Sequence, residues 1–439
     1  MSTVCTNGVI WEEIKDEGLE ESYHRCKHPS GLEIQVCTKP GYSSAYALFS
    51  TKYGSIDTAI TNDDGTITQI PEGTAHFLEH KLFESEDLDA FARFAKTGAS
   101  ANAFTSFHKT AYEFSCSGEF DANLEILLDF VQSPYFTEAT VQKEQGIIGQ
   151  EIRMYQDYPS WVEMMSLLQA LYSTHPVRCD IAGTEQSIAT ITAGLLHGCY
   201  RNFYNLHNMA LTVAGNVTKE QVLAIADKML KSGEGRAAVR PPMRDNSTPA
   251  ETLVRKKMAV SVSTFLLGWK EETDKPLLTA GENAAAELVL DALCGEASPL
   301  YEQLLEEGLI NAGFGAELLT AEDYACSLMG GESKHPEFAA EIITQALLRA
   351  AQEGLPPGDF ERARKKAYGR LLMGLNDVDA ISNRMCNAWL EGDDMFAQAR
   401  ALRELTLAQA NERVRKMFRP GYFALSIIDP IEIGAEGNP

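Results

Sequence analysis

Residues 76–80 read His76-Phe77-Leu78-Glu79-His80, and this pentapeptide constrains the chain more than any other stretch. In a helix, residues four apart sit one turn apart on the same face. His76 and His80 can therefore reach one point in space, and Glu79 leans toward it. Two imidazoles so spaced can hold Zn²⁺ at about 2.0–2.1 Å per nitrogen, with room left for a water. The carboxylate beside them can take that water's proton. The order inverts the familiar His-Glu-x-x-His zinc motif. The bland alternative is a polar turn with two core or surface histidines. The motif works only if this segment is helical and a distant element closes the coordination, so it demands a fold that supplies both.

A catalytic zinc takes three protein ligands and keeps one open position. Seven other histidines remain, and a carboxylate from another helix is the usual alternative to one of them as the third ligand. A helix predicted over 137–154 carries Glu144 and Glu151. Seven residues make two turns, so both carboxylates share one face. Either could ligate while the other hydrogen-bonds a ligating histidine. Spacing alone does not choose between them.

The chain has 439 residues, too many for one compact core. Residues 1–30 read as polar and irregular. Alternation predicts strands at 32–36, 45–50, 101–105 and 110–116. Helical spacing predicts helices at 72–84, 87–96, 120–132, 161–172, 188–202 and 219–230, with a strand at 209–213. Residues 232–250, rich in Gly, Pro, Asn and Ser, read as a linker. Beyond it the grammar repeats: strands at 258–267, 325–329 and 422–428, and helices at 277–293, 299–307, 336–352, 357–375, 379–390 and 407–417. The reading is α+β, one unit duplicated, with an N-terminal zinc-binding domain at 1–235 and a homologous non-catalytic domain at 236–439. The matching helix of the second copy, around 281–287, has no histidine. One copy would do chemistry and the other would close the site.

Charge narrows the partners. A net charge of −24 disfavours nucleic acid and anionic membranes and suits basic peptides, besides aiding solubility. Nine scattered cysteines without a Cys-x-x-Cys fit reduced thiols better than a disulfide framework. Glu12, Glu13, Asp16 and Glu17 stand where a signal peptide would be apolar. The expectation is a soluble cytoplasmic protein.

The combination of His76-Phe-Leu-Glu79-His80, Ala101-Asn102-Ala103-Phe104-Thr105 and Glu144-x6-Glu151 resembles the pitrilysin/insulinase (M16) family of zinc peptidases, which are inverzincins. The likeness covers nearly the whole chain, including His175-Pro176 and Gly183-Thr184, and its length resembles the short two-domain bacterial members and mitochondrial processing peptidase subunits. It implies two duplicated α/β-sandwich domains, each an antiparallel-rich sheet with helices packed on it. It implies a metalloendopeptidase with one Zn²⁺ per chain, acting on peptides or short unfolded polypeptides. Carried over, His76, His80 and Glu151 hold the zinc, Glu79 is the general base and Glu144 supports the site. Ala101, Asn102, Ala103 and Phe104 form the edge to which substrate adds as a strand. One stretch departs from the family. Where many active members carry an Arg and a Tyr in the second half, this chain has Leu305 and Asn311. The resemblance then implies a dimer, either of two copies or a heterodimer with a sister M16 subunit that supplies the Arg and Tyr.

Overall fold

A computed structural model describes residues 3–6, 9–61, 64–86, 89–231, 235, 237–241, 243, 245–272 and 278–431. The first half runs β1 (Thr3–Thr6), β2 (Val9–Asp16), β3 (Glu21–Lys27), β4 (Glu33–Thr38), β5 (Ala45–Thr51), β6 (Ala59–Thr61) and β7 (Ile67–Gln69). It continues through α1 (Thr74–Leu82), α2 (Ala90–Thr97), β8 (Ser100–Thr105), β9 (Thr110–Cys116), α3 (Phe120–Val131), α4 (Glu138–Gln156) and α5 (Pro159–Leu171). It closes with α6 (Glu185–Ile188), α7 (Ala193–Phe203), β10 (Met209–Gly215) and α8 (Lys219–Met229). The second half has β11 (Leu253–Met258), β12 (Thr264–Lys270), α9 (Ala280–Cys294), α10 (Pro299–Glu306), β13 (Gly315–Thr320) and β14 (Ala325–Glu332). It ends with α11 (Pro336–Glu353), α12 (Pro357–Gly374), α13 (Val378–Glu391), α14 (Ala397–Glu404), α15 (Leu407–Met417) and β15 (Phe423–Pro430).

The α+β duplication is visible in the sheets. One has the order β1-β2-β3-β4-β10-β5-β9-β8 and the other β11-β15-β12-β14-β13. In the first, β4 and β10 are parallel, while β10–β5, β5–β9 and β9–β8 are antiparallel. In the second, β11 and β15 are parallel, while β15–β12, β12–β14 and β14–β13 are antiparallel. The five-strand pattern is the same, so β8 and β13 are equivalent edges and α1 and α9 equivalent helices. The three extra strands of the first sheet correct the reading of 1–30 as irregular. Val9, Trp11, Ile14 and Asp16 of β2 are buried, but acidic residues between them mask the alternation. Glu12 there pairs with Arg25 of β3 at 2.7 Å.

The compact units do not follow the expected division at 235/236. One comprises 1–152, 179–242 and 370–397, the other 153–178, 243–369 and 398–439. Each half lends a helix to the other unit. In the first unit α13 covers β5 and β10, with the Thr212 hydroxyl donating to the Ser382 carbonyl at 3.0 Å. Both strands are buried throughout, as expected of strands covered on both faces. In the second unit α5 lies on β12 and β15, and the Thr264 hydroxyl donates to Glu163 at 2.6 Å. α5 and α13 hold equivalent places in the two repeats. Such an exchange conserves periodicity and spacing, so no sequence pattern reveals it. Within the expected linker, residues 232–234, 236, 242 and 244 lie outside the described residues, as do 87 and 88 of the expected second helix, which is described from Ala90.

Candidate metal centre

α1 starts where the backbone permits no side chain. Gly73 caps it with φ 85°, and a Cβ there would stand 2.4 Å from the Ala182 carbonyl oxygen. Gly183 mirrors this, its own Cβ position lying 2.5 Å from the Glu72 carbonyl oxygen. Two glycines thus let the 179–187 segment lie backbone to backbone against the entry to the helix. Ser187 holds it there, its hydroxyl donating to the Glu72 carbonyl at 2.9 Å. Phe77, Leu78 and Leu82 bury the inner face of α1, each worth about 1.5–3 kcal/mol. The remaining face presents the motif side chains to α4 and β8.

There His76, His80 and Glu151 come together, one ligand atom of each within 4.8 Å of the others. His76 Nε2 is 3.6 Å from one Glu151 oxygen and His80 Nε2 is 3.5 Å from the other. These separations are too long for hydrogen bonds. They are close to the separation of about 3.3–3.4 Å between ligand atoms that share one ion at about 2.0–2.1 Å, although each imidazole faces a different Glu151 oxygen. The donor set therefore fits a zinc ion with two imidazoles and a carboxylate. Glu144, next along the same face of α4, meets His80 Nδ1 at 2.9 Å. A carboxylate on Nδ1 fixes the ring with Nε2 turned toward the cluster. Glu79 and Glu144 are buried and Glu151 half-buried, an arrangement of carboxylates that calls for a cation. Burial disfavours charge on His80, yet the Glu144 hydrogen bond and the Glu79 and Glu151 carboxylates outweigh it and raise its pKa.

The other expected residues fall as follows. Ala101, Asn102, Ala103 and Phe104 lie on β8, at the end of the eight-stranded sheet, with β9 as its partner there. Thr105 ends the same strand, and its hydroxyl donates to Glu79 Oε2 at 2.7 Å. Sequence spacing gives Thr105 no role, because a threonine in a strand reads as a β-former. In the second unit Leu305 is exposed at 44% near the end of α10. Asn311 donates to Glu332 at 2.7 Å, and Tyr301 and Phe314 are buried with ring centroids 6.1 Å apart. Among the described residues, eight cysteines form no disulfide, and no helix is long and apolar enough to cross a membrane.

Residues 65–185 match the family model described as insulinase (peptidase family M16), and 190–367 match that of the peptidase M16 inactive domain. The chain is 39% identical over 415 residues to the uncharacterized zinc protease YmfH of Bacillus subtilis, covering 92% of this chain and 95% of that one. It is 25% identical over 385 residues to the uncharacterized zinc protease YmxG of the same organism, covering 83% and 91%. Among solved structures, an M16-like peptidase from Alicyclobacillus acidocaldarius superposes with a TM-score of 0.90 at 36% identity, covering 96% of this chain and 99% of the other. A protease from Helicobacter pylori shares the fold with a TM-score of 0.82 at 17% identity, covering 93% and 99%.

Proposed function

Because this chain belongs to the M16 (insulinase) family of peptidases, we propose that it is a zinc-dependent endopeptidase acting on peptides or short unfolded polypeptides. The observation that carries the reading is the spacing of His76 Nε2, His80 Nε2 and Glu151, with Glu79 beside them. His76, His80 and Glu151 would hold the ion, and Glu144 would orient His80. When bound, zinc supplies Lewis acidity to the scissile carbonyl and the attacking water. Glu79 takes that water's proton and passes it to the leaving amine. The β8 edge, Ala101–Phe104, binds the peptide backbone as an added strand, with Asn102 beside the scissile bond.

Hydrolysis of a fluorogenic peptide should vanish with a chelator and return with Zn²⁺. Glu79→Gln should keep one zinc per chain and lower kcat by about 10²–10⁴-fold. Undiminished turnover in that variant would remove Glu79 from the mechanism.

A second reading concerns assembly. The family resemblance puts Leu305 and Asn311 near the positions where many active members carry Arg and Tyr, and Asn311 is engaged with Glu332. On this reading the chain is the zinc-bearing subunit, or a non-catalytic or regulatory subunit, of an M16-type heterodimer, and a sister subunit contributes the missing groups. Full activity of the isolated chain, unchanged by any sister subunit, would refute it.

A further inference from the structure

We propose that Thr105 is a positioning residue for Glu79, fixing the carboxylate that the zinc-peptidase reading makes the general base. The inference rests on that reading for its catalytic consequence and on geometry for the contact. Thr105 Oγ1 lies 2.7 Å from Glu79 Oε2 and 3.3 Å from Thr110 Oγ1. Each hydroxyl has one proton to give. Thr110 donates its proton to the Tyr53 carbonyl at 2.8 Å. The Thr105 proton goes to Glu79, the nearer acceptor.

The donor is itself held in place. Thr105 pairs with Thr110 at the mouth of the β8–β9 hairpin, where Ser106 N–H donates to the Lys109 carbonyl at 2.8 Å. Residues 54–57 clasp that turn, with Ser55 N–H donating to Ser106 at 3.0 Å and Ile56 N–H to Phe107 at 3.0 Å. A glutamate has several side-chain torsions, and ordering them costs free energy. The hydroxyl anchors one carboxylate oxygen and leaves the other for the reacting water. It also belongs to the strand whose edge would receive the peptide. Base and substrate backbone are then registered against one rigid element.

Valine has the shape of threonine without the proton. If Thr105 served only as a strand former, valine would be tolerated. In the zinc-loaded full chain, Thr105→Val is instead expected to lower kcat about 10- to 100-fold with KM changed less than about twofold. Zinc content and thermal midpoint should hold, and Thr105→Ser should recover most of the rate. Thr105→Ala, which lacks the branch as well, repeats the measurement if the valine variant folds poorly. A readout independent of turnover comes from crystal structures of the zinc-free proteins. The Glu79 carboxylate should be displaced or divided between rotamers in Thr105→Val and ordered in Thr105→Ser. Unchanged kcat in the valine variant, no rescue by serine, or an unmoved Glu79 overturns the proposal. A wild-type protein with no chelator-sensitive hydrolysis would overturn the peptidase reading instead, and the position of Glu79 would still decide whether Thr105 orients it.

Discussion

Glu163 offers a test of how α5 is seated. It is 6% exposed, on the helix that the first half of the chain lends to the second sheet. Burial raises its pKa from 4.5 to about 7, although the Thr264 hydroxyl donating to it works in the opposite sense. Below pH 4.5 the carboxyl is protonated in both folded and unfolded chains and adds no pH dependence. Between 4.5 and about 7 the unfolded chain releases the proton while the folded chain keeps it, so stability falls as pH rises. Above about 7 the loss is complete and the contribution is flat. At roughly 1.4 kcal/mol per pH unit, the full loss is about 3 kcal/mol. Glu163→Gln removes the titration and keeps a carbonyl oxygen for Thr264 to donate to. The variant should match the wild type near pH 4.5 and exceed it at pH 8 by up to about 3 kcal/mol, or roughly 6–12 °C in the midpoint of a unit of 150–250 residues. Calorimetry and urea unfolding at the two pH values measure the difference. An equal offset at both pH values, or a variant less stable at pH 8, would refute the reasoning.

The metal centre yields separate expectations. Glu151→Ala should lose zinc on dialysis, whereas Glu144→Ala should keep its fold and bind zinc about 10–100-fold more weakly, as read by competition with a chromogenic chelator. Gly73→Ala puts a Cβ into the left-handed region and 2.4 Å from the Ala182 carbonyl oxygen. The backbone conformation alone should cost about 1–2 kcal/mol, and displacement of α1 should lower zinc occupancy as well.

The site was far more legible in the sequence than its surroundings. His76, Glu79 and His80 announce themselves because helical geometry converts a spacing of four into a shared face. Glu144 and Glu151 announce themselves equally as a pair, yet their division of labour depends on which oxygen meets which imidazole nitrogen. Thr105 escaped because its contact joins two elements that are distant in sequence, and its residue type already has a sufficient explanation in a strand. The N-terminal strands escaped because Glu12 and Glu13 interrupt the apolar alternation. The expected helix over 188–202 is two, Glu185–Ile188 and Ala193–Phe203, since Thr192 caps a new start by accepting from Leu195 N–H at 3.2 Å.

The reciprocal loan of α5 and α13 has a consequence for how the protein is made. The first sheet begins to emerge early in translation, yet the helix that covers β5 and β10 arrives only at 378–391. Until the ribosome has delivered those residues, the face that α13 will cover stays open to solvent. A gene fragment ending at 235 would encode that sheet without its cover, and one starting at 236 would encode the second sheet without α5. Two such fragments, produced separately, would each be incomplete, and mixed together they would supply each other's missing helix.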